Sequence, residues 1–275
     1  MRASRLDRAF THLVLALFAF LALYPILRML VVALQPPRST PSGASIIPTA
    51  FHLDNITRVW RDGDFASAFV TSSIISVTVV VAATVFSILA GYAFGTMRFP
   101  AARFLFLLLI AGLLVPTEAV VVPLYYDLRS VGLAGSYWSV ILPQLAGSVA
   151  FGTFWMRAFF ASTGPELREA AMMDGASQRR ILWTILVPLA RPAIQTLIVL
   201  LFLFSFNDFL LPLVMLQNPN VQTVPLSVAT FLGGREADVT GLAAAGLIAC
   251  VPVMVVYVAF QRQLIEGLLT GALKE

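Results

Sequence analysis

From Phe65 to Met97 the chain carries no charged residue. A helix crossing a bilayer needs about 20 predominantly apolar residues, and this run exceeds that. In water, a helix apolar on every side would need a protein shell to cover it. The rest of the chain cannot supply one, because it too is mostly apolar. The 275 residues are 59% hydrophobic and 12% charged, whereas soluble domains carry about 25% charged residues. The apolar runs are continuous, so they do not fit barrel strands, which alternate over about ten residues. The reading is an all-α integral membrane protein, one domain over residues 1–275, with six spans near 9–34, 66–96, 104–124, 139–159, 192–216 and 239–261.

Arginine placement sets the orientation, because short cytoplasmic loops collect Lys and Arg. Alternating sides group Arg2, Arg5, Arg8, Arg98, Arg103, Arg157, Arg168, Arg179, Arg180, Arg191, Arg262 and Lys274 together. The opposite side holds Arg38, Arg58, Arg61, Arg129 and Arg235, roughly balanced by acids. Both termini are therefore expected in the cytoplasm of a multi-pass cell-membrane protein. The net charge of +4 has this topological cause and does not point to nucleic acid. The first run ends in Leu34-Gln-Pro-Pro without a small-residue cleavage site, so it reads as an uncleaved span rather than a signal peptide.

Several chemistries are excluded. There is no Gly-x-x-x-x-Gly-Lys-[Ser/Thr] loop, and Lys274 is the sole lysine, so nucleotide phosphates have no cradle of that kind. The two histidines, His12 and His52, fall on different sides of the membrane, and no Gly-x-Ser-x-Gly elbow is present. Cys250 lies alone in an apolar run and permits no internal disulfide. Glu118, Asn207 and Asp208 interrupt apolar spans, where a charge costs roughly 2.5–3.5 kcal/mol on insertion scales. They should face the bundle or a cavity, either lining a solute path or bonding between helices. For Glu118, next to Pro116, the structural role is favoured.

The charge missing from the spans gathers between the fourth and fifth, over 161–191. Thr163-Gly-Pro-Glu166 fits a capping box with proline in the first turn. A short helix should follow and stop at Asp174-Gly175, glycine supplying the left-handed backbone that ends helices. Ser177 can cap a second helix running to about Ile185, with Pro188 and Pro192 breaking it before the fifth span. Ala170 and Ala171 offer a face that another surface can approach closely, and Met172 or Met173 offers an adaptable apolar contact. A helix this short is marginal alone and would gain from docking. On helical pattern alone, a solvated amphipathic loop is the simpler reading.

The spacing reverses that preference. Glu169-Ala-Ala, then Gly175, Ile185 and Pro188-Leu189, with Asp174-Gly175-Ala176 around the turn, resemble the EAA loop of ABC-importer permeases. Val187 stands where leucine is commoner. Phe206-Asn-Asp-Phe-Leu210 is similar to a stretch of the second permease of maltose-type importers, with Phe206 replacing the usual tryptophan. Pro36-Pro37, Phe99-Pro100 and the Pro116 to Tyr125 stretch also look like that subfamily.

The resemblance implies a type I importer permease of the maltose and glycerol-3-phosphate group, moving a carbohydrate or polyol, not an enzyme. It implies a second, similar permease, two ATPase subunits and an extracytoplasmic solute-binding protein as partners. It also implies that Glu169, Ala170, Ala171, Met172, Asp174, Gly175 and Ala176 form a coupling helix seated in a cleft of the ATPase. ATP and Mg would be used by that partner, with no cofactor or metal bound here. Asn207, Asp208 and Glu118 are the expected substrate-pathway groups. A permease for an amino acid or organic phosphate is the alternative. An intramembrane enzyme lacks a nucleophile–base or metal-ligand set, and a stand-alone carrier would show matched internal repeats.

Overall fold

The computed structural model describes residues 5–39, 51–218, 221–233 and 238–272. Of the basic residues that set the expected orientation, Arg2, Arg235 and Lys274 lie outside them, as does the end of the tail. All elements among the described residues are helical. They are α1 (Arg5–Ala33), α2 (Asp54–Asp62), α3 (Phe65–Thr96), α4 (Ala102–Leu113), α5 (Thr117–Ser130), α6 (Tyr137–Ser162), α7 (Pro165–Met173), α8 (Gln178–Leu189), α9 (Arg191–Phe206), α10 (Leu210–Met215), α11 (Val224–Ala229) and α12 (Val239–Ala272).

Among the described residues, four helices are long and apolar enough to cross a membrane: Phe10–Ala33 of α1, α3, α6 and Val239–Arg262 of α12. Two bent pairs bring the number to six if each is one crossing: α4 with α5 at 97°, and α8 with α9 at 77°. The third expected span, 104–124, is therefore not a straight helix. Proline disfavours helical backbone in the residue before it and has no N–H to donate, so α4 ends at Leu113 and α5 begins after the extended Pro116. In the expected fifth span, α9 ends at Phe206 and α10 restarts at Leu210, leaving Asn207 and Asp208 in the break.

Two compact units make up the chain, one from residues 1–66 and 227–251, the other from 67–226 and 252–275. In the first, hydrogen bonds tie the C-terminal end of α1 to α2 and to the start of α12. Helix ends leave carbonyls without partners, and Asn55, fully buried, donates both amide hydrogens to Ala33 and Gln35 carbonyls at 2.9 and 2.8 Å. Its oxygen accepts from Arg58 Nη2 at 3.2 Å, and Arg58 Nη1 meets Asp238 Oδ2 at 2.6 Å. Asp238 caps α12 by accepting from the Gly241 N–H at 2.7 Å, and Thr240 Oγ1 donates to the same oxygen.

Burial pushes the Asp238 carboxyl up, but the bonds from Arg58, Gly241 and Thr240 and the Arg58 charge hold it below its ordinary value of 3.8. A depressed carboxylate stabilises the fold above the unfolded value, and that stability is lost as pH falls through the lower folded value. The thermal midpoint in detergent should therefore drop as pH is lowered from 5 to about 3. Asp238→Asn should start lower and lose less over that interval. An equal acid loss in both proteins would rule out this carboxylate as a source.

In the second unit α3 packs on α6 at small residues. A Cβ on Gly91 would lie 2.5 Å from Met156 Cβ and 2.9 Å from the Arg157 backbone nitrogen, and one on Gly152 would overlap the Ser87 side chain. Around this seam lie Ile88, Tyr92, Met156, Phe160, Ala171, Ile181, Leu197 and Leu201. A second cluster gathers Ile75, Val79, Val121, Leu128, Val140, Ile141, Leu211 and Met215. The Gly91/Gly95 spacing thus serves an intrachain contact with α6.

Candidate functional site

The charged segment folds as two short helices around a glycine turn, but its start differs from expectation. No capping box forms. Thr163 stays with the preceding helix, its hydroxyl donating to the Phe160 carbonyl at 2.7 Å, and Gly164 occupies the cap of α7 without a side-chain bond. The orphan carbonyls ending α6 compete successfully for the threonine hydroxyl. Pro165 opens α7, where its missing N–H costs nothing.

The end of α7 forms as expected. Gly175 has φ of 76°, its N–H bonds the Met172 carbonyl at 3.0 Å, and the Ala176 N–H reaches back to Ala171 at 3.0 Å. These two bonds define the Schellman closure. Ser177 Oγ then accepts from the Arg180 N–H at 3.3 Å, capping α8. Pro188 does not break α8. Residues Ile181–Leu186 form a π-helical segment, whose wider turn relieves the clash between a proline ring and the carbonyl four residues earlier. The bend falls at Ala190, and Pro192 lies in the first turn of α9.

Glu169, Ala170, Met172, Asp174 and Gly175 are exposed and Ala176 is half-buried. Met173 is 88% exposed, the apolar tip of the segment. Ala171 departs from the expected open face. It is buried with Tyr92, Phe160 and Ile181 in this chain's own core, so it anchors α7 and leaves Ala170 and the methionines outward. Gly175 meets open space, since a Cβ added there would find no atom within 4 Å. Its requirement is conformational alone.

Sequence reasoning missed the side chains that tie this segment to α3. Tyr92 Oη donates to Gln178 Oε1, and Arg168 Nη1 donates to the Thr96 carbonyl. Tyr92, the one phenol in an uncharged span, was the available signal. A further bond joins Gln178 Nε2 to Met172 Sδ at 3.2 Å.

The intramembrane polar groups separate. Asp208 accepts from Gln144 Nε2 at 2.8 Å, and Ser205 Oγ donates to Gln144 Oε1 at 2.6 Å. The other Asp208 oxygen faces the Leu211 N–H at 3.4 Å, at the restart of the helix. Sequence reasoning passed over Gln144 as well, though a glutamine in the apolar fourth run marks it. Asn207 is exposed and turns back on its own helix, Nδ2 donating to the Leu203 carbonyl at 2.8 Å. Glu118 is exposed in the first turn of α5, on a different element from Asp208. Among the described residues no three of His, Cys, Asp and Glu are grouped to hold a metal ion.

Comparisons with known proteins agree with this architecture. Over 92% of its length the chain is 33% identical to the trehalose transport system permease protein SugB of Mycobacterium tuberculosis, covering 93% of that protein. It is 32% identical to the arabinooligosaccharides transport system permease protein AraQ of Halalkalibacterium halodurans, over 94% of both chains. Its fold is similar to a bacterial ABC transporter involved in the import of the acidic polysaccharide alginate, solved by crystallography, with a TM-score of 0.78 at 23% identity over 95% of this chain and 99% of that one. Residues 83–269 match the family described as binding-protein-dependent transport system inner membrane component. The chain belongs to that family, a multi-pass membrane permease subunit rather than an enzyme.

Proposed function

We propose that this chain is one permease of an ATP-driven importer that brings a carbohydrate or related polyol into the cytoplasm. The observation that carries the reading is α7. It is a short helix closed by a left-handed glycine, with Glu169, Ala170 and Met173 turned out from its own core. A surface helix with an apolar tip and a carboxylate beside it suits a cleft on a partner. Family membership implies an ATPase and a solute-binding protein as partners. We assign α7 to the ATPase, with two ATPase subunits below, a second similar permease alongside, and both termini cytoplasmic. Closure of the ATPase pair on ATP would move α7 and switch the permeases between inward- and outward-facing states. ATP and Mg belong to that partner. The sugar class is supported by the trehalose and arabinooligosaccharide permeases that this chain is similar to.

The test is co-expression with the neighbouring permease, ATPase and binding protein, purification in lipid, and ATP hydrolysis over a panel of sugars. One sugar with its binding protein should stimulate hydrolysis. Glu169→Lys, which exchanges a charge-assisted acceptor for a repelling cation, should reduce ATPase retained on the purified permease by about tenfold or more. Retention of the full complement by Glu169→Lys, with unchanged hydrolysis, would remove α7 from the ATPase contact.

A further inference from the structure

We infer that Tyr92 and Arg168 are positioning residues that clamp the α7–α8 loop to the end of α3, so that loop and helix move as one body. The inference rests on the coupling reading of α7 proposed above. Tyr92 and Thr96 stand one turn apart at the end of α3, where Thr96 is the last helical residue. The final carbonyls of a helix have no partner within it and carry its negative dipole end. Arg168, in the middle of α7, answers both needs by placing a guanidinium on the Thr96 carbonyl. Gln178, at the start of α8, is held by the Tyr92 hydroxyl.

The two bonds thus grip the loop on either side of the Gly175 turn. Neither holding group is free to swing. Thr96 Oγ1 donates to the Tyr92 carbonyl at 2.8 Å, closing the last turn of α3. The Tyr92 ring stands edge-on to Phe160 at 5.9 Å, and Tyr92 is 4% exposed. Ala171 seats the helix between the grips, in the same core as Tyr92 and Phe160. A push on Met173 or Glu169 therefore has a short, hydrogen-bonded route into α3, a helix of 32 residues. Without the grips, the glycine turn and the exposed α7 would let the loop yield locally, and the push would be lost.

Polarity makes the Tyr92 grip testable. The phenol donates and Gln178 accepts, so Gln178→Glu keeps the bond whereas Gln178→Leu and Tyr92→Phe remove it. The four-component complex is reconstituted with each variant. The measurements are ATPase retained, basal hydrolysis, and the stimulation of hydrolysis by binding protein plus sugar. Tyr92→Phe and Gln178→Leu should retain the ATPase and basal rate but lose stimulation by about tenfold, the worth of one net hydrogen bond in a two-state switch. The double variant should lose no more than Gln178→Leu alone, because that variant has already removed the Tyr92–Gln178 bond along with the Gln178–Met172 contact. Gln178→Glu should restore stimulation, and Arg168→Lys should keep more of it than Arg168→Gln.

Normal stimulation in both Tyr92→Phe and Gln178→Leu, while Glu169→Lys still sheds the ATPase, would overturn the clamp and leave the coupling reading intact. Additive losses in the double variant would also overturn it. If Glu169→Lys keeps its ATPase and full stimulation, the coupling reading itself fails, and the clamp fails with it.

Discussion

Gly91→Leu is expected to prevent α3 from packing on α6. A methyl group alone at this position would already stand 2.5 Å from Met156 Cβ and 2.9 Å from a backbone nitrogen. Met156 is fully buried on the facing helix and cannot swing aside, and the backbone atom moves only if the helix moves. Apolar overpacking ordinarily costs about 1–3 kcal/mol. Here the added isobutyl group must separate two helices whose contact depends on small residues, so the effect should reach or pass the top of that range. Thermal unfolding in detergent, followed by size-exclusion of the surviving monodisperse fraction, reads it directly. Gly147→Leu on α6, where no atom lies within 4 Å of the new Cβ, is the matched control and should be nearly neutral. Equal melting of the two variants would mean that the α3–α6 seam is looser than these distances require.

Gln144→Leu is expected to have the next largest effect. One side-chain amide serves two partners there: its nitrogen donates to Asp208 and its oxygen accepts from Ser205. Leucine conserves bulk but leaves both groups without that partner in apolar surroundings. An abandoned polar group costs about 1–3 kcal/mol, more when charged. A loss of about 3 kcal/mol is expected, with Ser205→Ala costing about 1 kcal/mol because the glutamine keeps its other bond. The same unfolding assay ranks them. An order with Ser205→Ala as severe as Gln144→Leu would show that Asp208 draws nothing from Gln144.

Those two sites also show what a sequence does and does not disclose. The membrane class, the segment between the fourth and fifth runs, the Gly175 turn and the Ser177 cap were legible because each follows from composition or local backbone preference. Uncharged length needs lipid, and a left-handed residue needs glycine. The 97° bend after Leu113 was half-legible, since Pro116 is plain in the sequence but one proline does not tell a kink from a full break. The failed capping box at Thr163 shows two helix ends competing for one hydroxyl, a contest that only the folded chain decides. The π segment at Ile181–Leu186 leaves no periodic trace. Ala171 is the subtler case. Its neighbour Ala170 has the same chemistry, and one faces outward while the other is buried. Gln144 and the Tyr92–Gln178 bond depend on residues distant in sequence, which no local rule pairs.

The first helix has a consequence of its own. In its crossing segment, Phe10–Ala33, only 6% of the most apolar window is buried, and Leu13, Leu15, Leu17, Phe18, Phe20, Leu21 and Leu23 are all exposed. Successive positions point around the whole circumference of a helix, so lipid meets much the same surface whichever way α1 is turned. Only the far end is fixed, where Val31, Ala33 and Leu34 are buried and Asn55 holds two carbonyls. Because α1 is one continuous helix, that anchored end sets the heading of every exposed side chain along it, and the chain's first crossing stands like a mast stepped at its foot.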